Sequence, residues 1–258
     1  MGSRTAQLQA FERLLDIMDE LREKCPWDRK QTFETLRHLT IEETYELGDA
    51  ILDNDLEEIK KELGDLLLHI VFYSKIGSEK KAFDIADVAN QISDKLIHRH
   101  PHIYGDTDAE DADQVVKNWE DIKLKEGKKS VLEGVPKSLP ALVKAYRIQD
   151  KVSGVGFDWD QKEAVLEKVK EELDELRTEI DAGDSKKMEA ELGDVMFSLV
   201  NYARFLKVNP ENALERTNKK FIKRFNYIEE KAKNSQRKVS ELSIEEMEIL
   251  WQEAKKTD

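Results

Sequence analysis

"KKELGDLLLHIVF" (Lys60–Phe72) and "EAELGDVMFSLVN" (Glu189–Asn201) share the run ELGD, at Glu62–Asp65 and again at Glu191–Asp194. Each run opens a strongly apolar stretch that reads as helix. A glycine inside a helix costs about 1 kcal/mol relative to alanine, and carboxylates beside an apolar run are costly to bury. An unfavourable combination that recurs points to an internal repeat.

Working outward, residues 41–65 align without a gap with residues 170–194. Glu43, Glu46, Glu62 and Asp65 then fall opposite Glu172, Glu175, Glu191 and Asp194, 129 positions on. Trp27 and Asp28 match Trp159 and Asp160, Lys95 and Arg99 match Lys220 and Arg224, and Trp119 and Lys123 match Trp251 and Lys255. Matched tryptophans, which are rare, make the duplication specific. Two copies therefore occupy residues 1–126 and 138–258, joined by a linker at 127–137 whose surroundings carry Gly, Pro and Lys. Ser138 or a neighbour is expected to cap the helix that follows, with Pro140 in its first turn.

With 11 Gly and 5 Pro in 258 residues, and apolar residues recurring at three and four, the expected fold class is all-α. It is read as two tandem repeats of a four-to-five-helix bundle. In the second copy, helices are expected at about 140–152, 162–181, 186–207 and 211–233, then a shorter one ending near Trp251. Asp181–Asp184 would turn the central pair into an antiparallel hairpin. A net charge of −13 disfavours extended nucleic acid as a partner, yet leaves room for a small phosphorylated ligand. No signal peptide is visible and no apolar run approaches the roughly 20 residues of a membrane span, so no membrane partner is expected. Cys25 is the single cysteine, which rules out an intramolecular disulfide and fits a reducing, cytoplasmic setting.

Fifty-five acidic residues make any carboxylate template easy to find, because most charged helix residues form a solvated face. Placement says more. On the helix from Lys186, the residues Lys187, Glu191, Asp194, Ser198 and Asn201 recur at steps of four and three and share one stripe. Leu192, Val195, Met196, Phe197, Leu199, Val200 and Ala203 cover the rest, so the helix is expected to be surrounded by protein. Val165, Val169, Leu173, Leu176 and Ile180 are read as the core stripe of the preceding helix, with Glu172 at its edge and Glu175 one turn on. Gly193 is expected to let a neighbouring helix approach closely. Packed together, the hairpin gathers four carboxylates, which repel unless a cation sits among them. An all-oxygen set fits Mg²⁺ or Mn²⁺. A di-iron bundle wants paired Glu-x-x-His motifs; His69 follows Asp65 by four and its counterpart is Ser198, so that motif is missing. "HRHPH" at His98–His102 reads as a structural corner, because alternate histidines do not share a helical face and Pro101 breaks the helix.

The ordered series "CPWD", the two EExxE…ExxD sets, "HRHPHIYGD", "VLEGVPKSLPAL", "VGFDW" and "NKKFIKRF" resembles the MazG family of nucleoside triphosphate pyrophosphohydrolases over almost the whole chain. The resemblance implies an all-α, Mg²⁺-dependent homodimer that converts NTPs and dNTPs to monophosphate and pyrophosphate in a house-cleaning or nucleotide-pool role. It carries the metal ligands onto Glu172, Glu175, Glu191 and Asp194, and nucleotide contacts onto Lys187, Lys220, Arg224, Trp251 and Lys255. It also implies that the C-terminal copy is the catalytic one. The N-terminal copy keeps Glu43, Glu46, Glu62 and Asp65 as a second candidate metal site, but Glu58 stands where Lys187 would grip phosphate. Two other readings share these features: a pyrophosphohydrolase specialised for dUTP, dCTP or phosphoribosyl-ATP, and a non-catalytic helical module that binds a nucleotide or a protein.

Overall fold

Most of the helices begin where the sequence supplies a side-chain cap. The structure, a computed structural model, describes residues 2–108, 111, 114–115, 118–119, 122 and 130–257. Lys123 and the linker residues 127–129 lie outside them. No strand occurs among the described residues. The chain divides into two compact units, Met1–Glu110 and Asp111–Asp258.

In the first unit the helices are α1 (Arg4–Lys24), α2 (Phe33–Asp53), α3 (Leu56–Glu79), α4 (Ile85–Arg99) and the single turn α5 (Pro101–Tyr104). Ser3, Thr32, Asp55 and Asp84 cap the first four, each side chain accepting from backbone N–H groups that have no partner inside the helix. Asn54, in the left-handed region, reverses the chain so that α2 and α3 pack as a hairpin, and α1 lies against α3. Met18, Leu36, Val71, Phe72 and Ile76 form the core. His100 terminates α4 and Pro101 opens α5, so the histidine-rich stretch is a corner, with His100 Nδ1 2.6 Å from the Leu96 carbonyl.

The second unit repeats the plan with α6 (Ala141–Ser153), α7 (Lys162–Ala182), α8 (Ser185–Phe205), α9 (Pro210–Asn234) and α10 (Ile244–Ala254). These bounds match the sequence expectation closely. Gly183 (φ 73°) and Asp184, which accepts from the backbone of Lys186 and Lys187, make the α7–α8 turn. Pro140, however, is the cap residue of α6 rather than a first-turn residue, and Ser138 caps nothing there. α6 and α9 pack on α8, and α10 on α9.

Three expectations fail. Of the proposed α7 core stripe only Val165 and Val169 are buried, while Leu173 and Ile180 are exposed. On α8, Val195 and Val200 are buried, but Leu192, Met196 and Leu199 stand half exposed. The hairpin and its neighbours cover one side of the helix and leave an apolar face open. Gly64 and Gly193 open no close approach within the chain either: a Cβ at either position meets nothing within 4 Å.

Candidate functional site

The α7–α8 hairpin brings its acidic residues together because Glu172 and Glu175 lie one turn apart on α7 and Glu191 faces them from α8. One carboxylate oxygen from each of Glu172, Glu175 and Glu191 lies within 4.8 Å of the other two. Glu172 is buried, Glu191 half-buried and Glu175 exposed. Lys168, one turn before Glu172, places Nζ 2.9 Å from Glu172 and 2.8 Å from Glu171. Those hydrogen bonds raise the Lys168 ammonium pKa. Glu175 is pushed up, first by burial of its carboxyl and then by the charge of Glu172. Asp194, three residues beyond Glu191, lines a cavity together with Glu172.

The first unit builds the same cluster from Glu43, Glu46 and Glu62, again within 4.8 Å of one another. Glu62 is almost wholly buried, and its Oε2 has no hydrogen-bond partner. Burial, followed by the charge of Asp65, raises the pKa of Glu43; burial, followed by the charge of Glu62, raises that of Glu46. An orphaned buried oxygen among like charges is the donor set a hard divalent cation fits, and no sulfur or imidazole ligand accompanies it. The counter-charge differs between units. Lys61 bonds both Glu62 (2.8 Å) and Glu58 (2.6 Å), so it draws the extra acid of this unit onto the cluster. His69 serves the interior instead, with Nδ1 2.8 Å from Thr40 Oγ1, which in turn lies 2.6 Å from the Tyr73 hydroxyl.

The basic residues assemble elsewhere. Lys187 pairs with Glu179 at 3.5 Å, one turn from Glu175. Arg224 lies 5.4 Å from the Trp251 ring, and Phe221 packs on the same ring at 5.0 Å. Arg224 borders a small cavity with Tyr227 and Ala254, while Lys220 and Lys255 are exposed. The structure thus unites Glu172, Glu175 and Glu191, puts Asp194 on the same cavity as Glu172, and unites Arg224 with Trp251. The residues lining the cavity beside Glu172 and Asp194 include none of Lys187, Lys220, Arg224, Trp251 or Lys255.

That cavity, of about 510 Å³, is walled instead by Gln149, Phe157, Trp159, Ser198, Asn201 and Arg204. Ser198 and Asn201 were on the polar stripe read from sequence, and Arg204 continues it by three residues. Arg204 is ion-paired with Asp158 and donates to Asn201 Oδ1 at 3.0 and 3.2 Å. Gln149 and Lys168 carried no sequence signal, since a lone amide or lysine on an amphipathic helix is ordinary.

Comparison with known proteins agrees with this geometry. The chain matches the MazG nucleotide pyrophosphohydrolase domain over residues 31–104 and again over 160–228, so each carboxylate hairpin falls in one match. It is 46% identical over 253 residues to a Thermotoga maritima protein named nucleoside triphosphate pyrophosphohydrolase/pyrophosphatase MazG, covering 96% of both chains. It is 41% identical over 260 residues to the Escherichia coli K12 nucleoside triphosphate pyrophosphohydrolase, covering 97% of this chain and 99% of that one. An uncharacterized Bacillus subtilis protein, YabN, is 45% identical over 254 residues, which are 96% of this chain and 52% of YabN.

Proposed function

The chain belongs to the MazG nucleotide pyrophosphohydrolase family, and on that premise we propose that it hydrolyses nucleoside triphosphates to monophosphate and pyrophosphate with Mg²⁺. The observation that carries the reading is the convergence of Glu172, Glu175 and Glu191 within 4.8 Å, with Asp194 and Glu172 opening onto a cavity of nucleotide size. These four residues would hold Mg²⁺, with Mn²⁺ as a substitute; the ion supplies charge neutralisation on the phosphates and a water of lowered pKa. The carboxylates would orient a water for attack on the α-phosphorus and take up its proton, the new O–P bond forming as the bond from the α-phosphorus to the bridging oxygen breaks and pyrophosphate leaves. No serine or cysteine with a base partner accompanies the site among the described residues, which favours direct hydrolysis over a covalent intermediate. Lys187, Lys220 and Arg224 are assigned to the phosphates, with Trp251 and Lys255 at the edge of the substrate.

The proposal extends to organisation. Repeat 138–258 is the working copy and repeat 1–126 is structural or weakly active, because Glu58 and Lys61 occupy its cluster where the second copy has Lys187 and Ala190. The half-exposed apolar faces of α3 and α8 support a homodimer. A cytoplasmic setting rests on the single, disulfide-free Cys25. No helix among the described residues is long and apolar enough to cross a membrane.

Incubation of the purified protein with ATP, GTP, CTP, UTP and their deoxy forms in Mg²⁺ tests the reading. Monophosphate and pyrophosphate from many of them is the expected result. Turnover of a single nucleotide would make the protein a specialist, and orthophosphate release, or binding with no turnover, would sink the proposed chemistry.

A further inference from the structure

α6 has little local support. It spans 13 residues and its cap residue, Pro140, makes no side-chain cap bond. An isolated helix of that length is marginal in water. Two buried polar residues tie it to its surroundings. Gln149 and Lys151 are each 4% exposed, and a step of two residues turns them toward nearly opposite sides of the helix. Gln149 Nε2 donates to the Phe197 carbonyl of α8 at 2.8 Å. Lys151 Nζ donates to the Val131 carbonyl at 3.0 Å, in the segment that joins the repeats. One side of α6 is thus bonded to the carboxylate hairpin and the other to the connector.

The sequence reads as linker over 127–137, yet the described part of the connector is folded as part of the second unit. Glu133 N–H donates to the Ser130 carbonyl at 3.0 Å, Gly134 takes φ 87°, and Leu139 N–H donates to the Pro136 carbonyl at 3.3 Å, so the segment makes two turns. Val131, Val135 and Leu139 are half-buried, and the residues between them are exposed. Lys144 lies seven residues before Lys151, on the same face of α6, and donates from Nζ to the Lys137 carbonyl at 2.7 Å. Two lysines of one helix face therefore hold two carbonyls of the connector. The fastening is reversible by its chemistry. A buried ammonium carries the cost of leaving water, so hydration is regained when the segment lifts. In the first repeat, Asp19 stands where the Trp27–Trp159 offset puts Lys151; its carboxylate is largely exposed and pairs with Lys75 at 2.6 Å.

We propose that Ser130–Leu139 is a strap, fastened by Lys151 and Lys144, that keeps α6 over the second carboxylate hairpin, and that its release switches this unit off. Ile148, Gln149 and Val152 of α6 wall the cavity onto which Glu172 opens, so a displaced α6 hydrates a carboxylate that is now buried. The chain from the first repeat reaches α6 only through this segment, so a pull on the connector acts there first. The strap itself is independent of the pyrophosphohydrolase reading; its effect on turnover rests on that reading.

The full chain carrying Lys151→Ala tests the strap by peptide-resolved hydrogen exchange, together with pyrophosphate release from ATP in Mg²⁺. Amides of α6 should exchange at least tenfold faster than in the parent, those of α7 should stay within twofold, and kcat should fall at least tenfold. Exchange in α6 within twofold of the parent overturns the strap. A rise shared equally by α7 reports general destabilisation and overturns it too, and faster exchange in α6 with kcat within twofold overturns the switch. Should Lys151→Ala lose its cooperative melt, Lys144→Ala, at a half-buried position, takes its place. At least threefold faster exchange in α6 then supports the strap, and a smaller change overturns it. If the parent releases no pyrophosphate, the pyrophosphohydrolase reading fails, while the exchange comparison still decides the strap.

Discussion

Replacing Met196 by aspartate is expected to weaken self-association through the α8 face. Leu192, Met196 and Leu199 are 50%, 51% and 49% exposed, and Leu63, Leu67 and Ile70 on α3 are 51%, 38% and 47% exposed. Burying a whole Leu or Met side chain contributes roughly 1.5–3 kcal/mol, so completing a half-burial contributes about 1 kcal/mol. In a two-fold dimer each residue counts in both protomers. Three residues then give about 6 kcal/mol per face, against an association cost of about 4–15 kcal/mol. Either face alone is marginal. Met196→Asp removes about 2 kcal/mol of burial and desolvates two carboxylates besides, which is a loss of about thirtyfold or more in dimer affinity. Leu67→Asp acts alike on α3, and the double variant should be monomeric at micromolar concentration. Sedimentation over a concentration series reads both. A double variant with the parental dissociation constant would show that these faces are not the interface and would refute the reasoning.

Glu172→Gln and Lys187→Ala should each lower kcat at least a hundredfold in a pyrophosphate-release assay while Glu43→Gln changes it less than threefold; equal losses from Glu43→Gln and Glu172→Gln would reverse the ranking of the units. Mg²⁺ at a hundred times its Kd should stabilise the loaded protein by about 2.7 kcal/mol, or about 5–10 °C in Tm, and Glu172→Gln should lose most of that shift in a melt with and without chelator. In the monomeric double variant, Gly193→Ala should stabilise by up to about 1 kcal/mol in urea, since the added methyl meets nothing; destabilisation there would place an unseen neighbour at the glycine. The Arg237 guanidinium, aided by the Ser243 backbone N–H, holds the Glu246 carboxyl at about 2 instead of 4.5. A folded-state value below the unfolded one gives stability that is present above about pH 4.5 and lost as pH falls toward 2. The gap in urea midpoint between the parent and Arg237→Gln should therefore shrink between pH 5 and pH 2.5, and a constant gap would contradict the pairing.

Helix positions were legible because their causes are local. Apolar spacing of three and four and the Asp181–Asp184 turn each act within about one turn of chain, so α7 to α10 fall where the periodicity puts them, whereas the cap expected from Ser138 did not form. The convergence of Glu172, Glu175 and Glu191 was legible for the same reason: their spacing puts them on facing stripes of the two hairpin helices. Burial was not. Leu173 and Val169 look alike on the α7 wheel, yet only Val169 is covered, because a wheel gives an angle about one axis and says nothing of which neighbours stand there.

From sequence alone this protein is an all-α chain written twice, with two carboxylate hairpins, since periodicity, capping and internal repetition are properties of the covalent order. Tertiary packing decided what the two hairpins became. Lys61 and Lys168 reach the acids from non-equivalent positions, Glu172 is buried where Glu175 is not, and Phe72 fills a space that Asn201 leaves open beside Gln149. Those differences come from side-chain length and from the residues that α1 and α6 each present across the gap, and such contacts between distant segments exist only once the helices have packed.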